Sequence, residues 1–254
     1  MTTAPADEDV LHTTVGDLAL EEVELAVGGR TWRIQHTGAV IGRDTEAAFL
    51  RGEQATPRPY GLVLWPAAIA LAHEVASREV AGLRVLELGA GTGLPGIVAA
   101  SLGARVVQTD RQRLVLEVCR RNAARNGVAA PASPGSTGSP GSPGSPGSPG
   151  SSGSPGSIDH RVADWTAWTD GDRYDLVLGS DILYAEALHP HLRAIFDGNL
   201  APGGTLLLAD PYRAVSLRLL EAMEADGWRV ALDKWTVGLA PPPRPVGVFR
   251  LTRR

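Results

Sequence analysis

The sequence contains one cysteine among its 254 residues. A single thiol excludes an internal disulfide and also a zinc site built from several thiolates. Cys119 lies in a segment with apolar residues at helical spacing, which predicts a reduced and buried thiol. No metal site is predicted, because His189 and His191 lie close together without an acidic partner at the spacing of metal ligands.

Long apolar runs and an excess of positive charge are also missing. The longest apolar run, from Leu62 to Ala72, is too short to cross a bilayer and contains Pro66. Residues 1–9 are polar and acidic and lack the pattern of a signal peptide. The formal net charge of -4 gives no support for a nucleic-acid-binding surface. We expect a cytoplasmic protein with neither membrane nor nucleic acid as partner, and we expect it to be a monomer.

The segment from Leu83 to Gly96 organises the chain. Its apolar run from Val85 to Leu88 is typical of a parallel strand covered on both faces. The alternate glycines in residues 89–93 allow a sharp turn in which the backbone lies against a ligand, because a Cβ would prevent that approach. Pro95 suits the first position of a helix. We expect a nucleotide-like ligand at this strand–turn–helix unit.

Two classes of cofactor use such a turn. Residues 91–96 match the G-x-G-x-x-G pattern of dinucleotide-binding proteins, in which a helix N-terminus faces a pyrophosphate. Glu87 precedes the glycines, however, and a carboxylate there would repel a pyrophosphate. The same carboxylate suits the cationic amine of S-adenosylmethionine, directly or through water. The order acid-x-Gly-x-Gly-x-Gly therefore favours the methyl donor over NAD.

The rest of the chain divides into a short N-terminal part and one large domain. Residues 1–17 are expected to be disordered, and residues 18–58 to form a hairpin about Gly28-Gly29 and a connection. Residues 59–254 alternate strands and helices and end in two strands with no helix between them. This pattern predicts an α/β fold of the Rossmann-like, doubly wound type, with a seven-strand, mostly parallel sheet and an antiparallel C-terminal edge.

Residues 131–157 interrupt that domain with repeated Ser, Pro and Gly. Glycine recurs at every third position from Gly135, as in collagen, but three chains would have to align within a globular domain to form a triple helix. We interpret the segment as a flexible insertion between a helix and a strand. The fold can tolerate it because the entropy of loop closure rises only logarithmically with length.

Acidic and aromatic side chains stand where the predicted parallel strands end. Asp110 ends the second strand, 17 residues beyond Gly93, close to the spacing expected of a carboxylate that binds ribose hydroxyls. In open α/β sheets ligands bind beyond the carboxyl ends of the strands, so we expect these side chains to converge on one crevice. The third, fourth and fifth strands are followed by Asp164-Trp165, Ser180-Asp181 and Asp210.

In this ordered set the chain resembles the seven-strand, class I S-adenosylmethionine-dependent methyltransferases, over about residues 60–254 without the insertion. Within that class it is similar to the methyltransferase-like protein-lysine methyltransferases, which carry an acid-x-x-aromatic motif after the fourth strand. Asp181 and Tyr184 match the motif, and the resemblance implies that they are catalytic. It also implies contacts with S-adenosylmethionine at Trp65, Gly89, Ala90, Gly91, Asp110, Trp165 and Ser180.

The chemistry of the side chains agrees with such a site. Trp165 can pack on adenine, and Asp164 can accept hydrogen bonds from the adenine edge. Asp110 can bind the ribose and Glu87 the methionine amine. Asp181 is our candidate for orienting an acceptor lysine, which arrives protonated and must lose its proton before attack.

We therefore predict methyl transfer to a lysine side chain of a protein substrate. A small-molecule N- or O-methyltransferase is the enzymatic alternative, because the fold is shared, and a non-catalytic cofactor-binding module is the other alternative. Residues 180–184 lack the two prolines expected after the fourth strand of nucleic-acid amino methyltransferases. Arg213, three residues beyond Asp210, is interpreted as a solvated charge.

Overall fold

The computed structural model describes residues 10–13, 16–38, 60–128, 156–238 and 243–253. Two antiparallel pairs come first: β1 (Val10–Thr13) with β2 (Gly16–Ala19), and β3 (Glu21–Val27) with β4 (Arg30–His36). The second pair confirms the hairpin predicted about Gly28-Gly29. The first pair differs from the predicted disorder of residues 1–17 at residues 10–13 and 16–17, whereas the rest of that segment lies outside the described residues. Its Leu11 is buried in one apolar cluster with Leu62 and Val115, and this burial favours the ordered strand.

The main domain alternates strands and helices along the chain. Its elements are α1 (Pro66–Ala76), β5 (Arg84–Leu88), α2 (Leu94–Ser101), β6 (Arg105–Asp110), α3 (Arg113–Arg125), β7 (Ser157–Val162), β8 (Tyr174–Ser180), α4 (His189–Asn199), β9 (Leu200–Asp210), α5 (Ala214–Ala225), β10 (Trp228–Val237) and β11 (Arg244–Arg253).

These strands form one seven-strand sheet in the order β10-β11-β9-β8-β5-β6-β7. The pairs from β9 to β7 are parallel, whereas β11 pairs antiparallel with both β9 and β10. The predicted fold class is therefore confirmed, including the antiparallel C-terminal edge. The chain order reverses between β5 and β8, and a crevice at the carboxyl ends of such strands is the usual ligand site of open α/β sheets.

Both faces of the sheet are covered, which is why its central strands are apolar without alternation. On one face Val85 packs in a cluster that contains α1, α2 and the inner residues of β3 and β4. On the other face Leu86 and Leu88 pack with residues of α4 and α5, among them Phe196 and Met223. The glycine turn after β5 is thus held between two cores.

The pair β3–β4 is attached to α3 through asparagine amides. Asn122 accepts a hydrogen bond from the Gln35 backbone N–H at 2.7 Å and donates to the Gln35 carbonyl at 3.1 Å. Its Nδ2 also donates to the Thr92 carbonyl in the glycine turn, at 2.9 Å. Asn126 makes the same two-way contact with the backbone of Arg33. The hairpin is therefore linked to the turn through one side chain, Asn122.

Two predicted connections lie largely outside the described residues. These are residues 39–59 and nearly all of the Ser-Pro-Gly insertion at 131–157; β7 already begins at Ser157. A Cβ on Gly156 would lie 1.9 Å from the Ala100 carbonyl oxygen, so glycine is required where the chain enters β7. Within the described ranges, no helix combines the length and the apolar character needed to cross a membrane.

Candidate active site

The glycine turn between β5 and α2 forms the floor of the candidate site. Gly89 and Gly91 have φ values of 62° and 58°, which side chains with a Cβ rarely adopt. A Cβ on Gly89 would lie 3.0 Å from Cγ2 of Ile182 and 3.1 Å from Cζ2 of Trp165. The Ala90 N–H donates to the carbonyl of Thr109 in β6 at 2.9 Å. The structure therefore brings the turn against the end of β6 and against residues that follow β7 and β8.

Glu87 lies beneath this turn and is only 1% exposed. Its Oε2 accepts hydrogen bonds from the Gln108 amide at 2.6 Å and from the Gly96 N–H at 3.1 Å. Burial raises the pKa of its carboxyl to about 8, although both hydrogen bonds oppose that rise. In this arrangement the carboxylate binds the start of α2, so its contact with a cofactor amine stays a prediction.

Asp110 ends β6 beside the same turn and is half-buried. Its Oδ1 accepts a hydrogen bond from the Gln112 N–H at 3.0 Å. Burial raises the pKa of this carboxyl, while hydrogen bonds from the backbone N–H groups of Gln112, Gly91 and Arg111 oppose the shift. These N–H groups hold the carboxylate at the strand end, where a ribose would reach it.

Trp165 and Asp164 follow β7 and have different structural roles. The ring of Trp165 packs on Gly89, where a Cβ would lie 3.1 Å from its Cζ2. Asp164 caps the short 3-10 turn Trp165–Ala167, because its Oδ1 accepts from the N–H of Thr166 at 2.8 Å and from its hydroxyl at 2.7 Å. These bonds lower the pKa of Asp164. A groove of about 660 Å3 lies beside Asp164, with Thr109 and Trp168 in its wall.

An aromatic rim, formed by Tyr60, Trp65 and Tyr184, lies beside the turn. Trp65 stacks on Tyr60 with ring centroids 6.5 Å apart and donates through Nε1 to the Tyr60 carbonyl. A Cβ on Gly91 would lie 3.5 Å from the carbonyl oxygen of Gly61, which places this rim against the turn. Tyr184 is 47% exposed, and burial of its hydroxyl raises its pKa. Arg111, Asp110 and Tyr60 also act on that pKa, so Tyr184 faces the same crevice.

Ser180 and Asp181 end β8 next to the turn. Ser180 is half-buried, and Asp181 has a left-handed backbone with a φ of 56°, held by its N–H bond to the Ala209 carbonyl. The Asp181 side chain is 8% exposed, and its Oδ1 lies 2.7 Å from Nη1 of Arg213. Arg213 itself is only 14% exposed and bonds Asp210, so it is not the solvated charge that the sequence suggested.

Sequence reasoning missed four residues that support the site. Gln108 holds Glu87, Gly96 leaves room for it, Asn122 holds the turn, and Arg213 holds Asp181. A Cβ on Gly96 would lie 2.4 Å from Oε2 of Glu87. A polar residue within a buried strand was the available signal for Gln108, which lies opposite Glu87 in the β5–β6 register.

The residues present are suited to S-adenosylmethionine. A turn with alternate glycines lies beside a strand-end carboxylate and an indole, and these three features match the amino-acid part, ribose and adenine of that molecule. In the part of the chain that the structure describes, no three His, Cys, Asp or Glu side chains are grouped so that they could hold a metal ion.

Comparisons with known proteins agree with this arrangement. The model of the lysine methyltransferase family matches residues 45–133. Histone-arginine methyltransferase METTL23 of Xenopus laevis is 34% identical over 112 residues, which are 42% of this chain and 47% of that protein. Protein N-lysine methyltransferase METTL21A of Danio rerio is 34% identical over 151 residues, 58% of each chain. The chain thus spans about half the length of these relatives.

Among solved structures, the ribosomal protein L11 methylase from Lactobacillus delbrueckii subsp. bulgaricus has the same fold. It superposes with a TM-score of 0.51 at 19% identity, over 80% of this chain and 92% of that one. The sheet order and the glycine turn after β5 are those of the class I methyltransferase fold. Residues 45–133 resemble the lysine methyltransferase family, whose model they match.

Proposed function

We propose that the protein transfers a methyl group from S-adenosylmethionine to a lysine side chain of a protein substrate. The observation that carries the proposal is the setting of Asp181. Asp181 directly precedes Ile182, which packs at Gly89. The buried carboxylate of Asp181 contacts a cationic nitrogen, Nη1 of Arg213, at 2.7 Å. A carboxylate at this position that binds the guanidinium of Arg213 is also suited to bind the ammonium of a lysine. The family match and the names of the relatives support a nitrogen acceptor in a protein.

The chain's own residues would bind and orient the reactants. The backbone of residues 89–91 and the Asp110 carboxylate would hold the cofactor, and Trp165 would cover its adenine. When bound, S-adenosylmethionine supplies a methyl group on a sulfonium. Holding an acceptor nitrogen in line with that methyl can contribute up to ~10 kcal/mol to lowering the barrier.

Asp181 and Tyr184 would act on the acceptor. A lysine has an ordinary pKa of about 10.4, and removal from water lowers that pKa and favours the neutral amine that attacks. Asp181 would attract the ammonium into the crevice and orient the nitrogen. The Tyr184 ring, half exposed at the rim, would form the wall of the lysine channel.

The proposal includes a monomeric cytoplasmic enzyme with neither membrane nor nucleic acid as partner. The net charge of -4 supports the exclusion of nucleic acid. Light scattering would measure the mass of the particle in solution, and a mass near twice 26.6 kDa would contradict the monomer.

The test is incubation with tritiated S-adenosylmethionine and a cell lysate, followed by separation of proteins from small molecules. We expect the label in a protein band and, by mass spectrometry, on lysine. Lys234 is the only lysine of this chain and is exposed, so Lys234→Arg removes labelling of the enzyme itself. Label in the small-molecule fraction would establish the small-molecule alternative. Cofactor binding without any transfer would indicate a binding module.

Asp181→Asn is the informative variant. Loss of a charged hydrogen bond of about 1.5–3 kcal/mol predicts a rate roughly 10- to 150-fold lower, with the Kd for the cofactor unchanged. The matched control is Asp233→Asn, which makes the same chemical change at an exposed position of β10. Undiminished transfer by Asp181→Asn would remove this residue from the mechanism.

A further inference from the structure

One guanidinium joins the ends of two neighbouring strands at the candidate site. Asp181 follows β8, and Asp210 is the last residue of β9, which runs parallel to β8. Nη1 of Arg213 lies 2.7 Å from Oδ1 of Asp181 and 2.9 Å from Oδ2 of Asp210. A single nitrogen therefore contacts both carboxylates, and its position fixes the distance between them.

Asp210 is the anchor of this contact. Its side chain is fully buried, Oδ1 accepts the N–H of Arg213 at 2.7 Å, and Oδ2 accepts the hydroxyl of Ser216 at 2.7 Å. Through these two hydrogen bonds and the guanidinium contact, the Asp210 carboxylate is bound by groups of the protein itself. Asp181 lies at the other end of the contact, on the side of the glycine turn. Asp210 therefore holds Arg213 in place, and Arg213 in turn holds Asp181.

The backbone at both ends is held in an unusual conformation. Asp181 and Tyr212 are the non-glycine residues with positive φ in the described ranges, at 56° and 62°. Such conformations persist where neighbouring contacts enforce them, and they concentrate at functional sites. Here the N–H of Asp181 bonds the Ala209 carbonyl, and Tyr212 precedes Arg213 directly. One strained residue, Asp181, is thus a partner of the ion pair, and the other, Tyr212, directly precedes the second partner, Arg213.

We propose that Arg213 is a positioning residue for the acceptor lysine. It holds the Asp181 carboxylate at the end of β8, beside the glycine turn, where the carboxylate would orient the incoming ammonium. This inference rests on the proposed function, since it concerns the same acceptor site. It assigns a role to a residue outside the acid-x-x-aromatic motif.

The experiment compares Asp210→Asn with the double variant Arg213→Gln/Asp210→Asn. The double variant removes the guanidinium without leaving the Asp210 charge buried and unpaired, so it is expected to fold. From the single to the double variant we expect the KM for the acceptor protein to rise about 10-fold or more, as for loss of a charged hydrogen bond. The Kd for S-adenosylmethionine, by calorimetry, should stay within about threefold. Arg213→Lys, which keeps a cation, should recover part of the loss.

Two results would overturn the inference. One is an acceptor KM that does not differ between the single and double variants. The other is a parallel loss of cofactor affinity and thermal stability, which would indicate a merely structural ion pair. Arg218→Gln is the control, because this arginine of α5 is 60% exposed and its guanidinium lies 3.3 Å from the carboxylate of the exposed Glu186. If the wild-type protein methylates no protein at all, the proposed function fails instead, and the two failures are thereby distinguished.

Discussion

Replacement of Glu87 by glutamine should remove a pH dependence of stability that this one carboxyl creates. Burial raises its pKa from 4.5 to about 8 in the folded protein. Each pKa unit corresponds to about 1.4 kcal/mol, so the full displacement corresponds to about 5 kcal/mol. Because the folded pKa exceeds the unfolded one, the folded state holds the proton more tightly. The stabilising contribution is therefore complete below pH 4.5 and is lost as the pH rises towards 8.

Glutamine mimics the protonated carboxyl and has no charge to lose. Its Oε1 can accept the hydrogen bond of the Gly96 N–H, as Oε2 of Glu87 now does. Between pH 5 and pH 8 the wild-type protein should lose about 3 kcal/mol from this group that the variant keeps. For a domain of this size that loss lowers the Tm by roughly 10 °C. We therefore expect Glu87→Gln to match the wild type at pH 5 and to melt higher at pH 8.

The assay is thermal and urea unfolding of both proteins across that pH range. The pKa of His160 is lowered to about 4, chiefly by burial, which gives the opposite slope between pH 4 and 6.5, but this residue is common to both proteins and cancels in their difference. Glu221→Gln, at an exposed position of α5, is the matched control. A difference between Glu87→Gln and wild type that stays constant with pH would refute the reasoning.

The same variant tests the predicted contact of Glu87 with the cofactor. If the carboxylate meets the methionine amine, directly or through water, binding at pH 7 should expel the proton that burial retains. Calorimetry in two buffers of different ionisation enthalpy measures that release. Weaker binding by Glu87→Gln is expected with it; unchanged affinity and no proton release would leave Glu87 as a support for α2 alone.

Three further predictions concern the glycine turn and its supports. Gly89→Ala places a Cβ 3.0 Å from Cγ2 of Ile182 in a left-handed backbone, which costs about 1–2 kcal/mol, and calorimetry should show a roughly tenfold weaker cofactor affinity. Asp110→Asn should weaken cofactor binding roughly 10- to 150-fold in the same assay, with little change in Tm, because a charged acceptor for the ribose is lost. Asn122→Ala removes three hydrogen bonds of 2.7, 2.9 and 3.1 Å, and urea unfolding should show a loss of about 3 kcal/mol. An Asn122→Ala protein as stable as wild type would contradict the link between hairpin and turn.

The fold could be predicted from the sequence because its signals are local. Apolar runs of strand length, the glycines at 89–93 and helices between strands each arise from neighbouring residues, and together they specify the parallel sheet. The strand β1 was missed for the opposite reason. The cluster that buries its Leu11 includes residues 50 and more positions away, such as Leu62 and Val115.

The candidate site was predictable in part. The strand-end positions of Asp110, Trp165 and Asp181 follow from topology, because parallel strands end at one edge of a sheet. Side-chain partners do not follow in this way. Glu87 lies on a strand that is buried on both faces, so periodicity could not show that it points towards Gly96. The burial of Arg213 likewise depends on β8 and β9 meeting, which no spacing within residues 210–213 reveals.

Gly156 has a consequence for how this protein can be engineered. No larger residue can lie so near the Ala100 carbonyl, so Gly156 fixes the position at which β7 begins. The alignment of this outermost strand against β6 then does not depend on how many residues precede it. Truncation of the Ser-Pro-Gly tract, or exchange for an unrelated tether, should preserve the enzyme as long as this one glycine is retained.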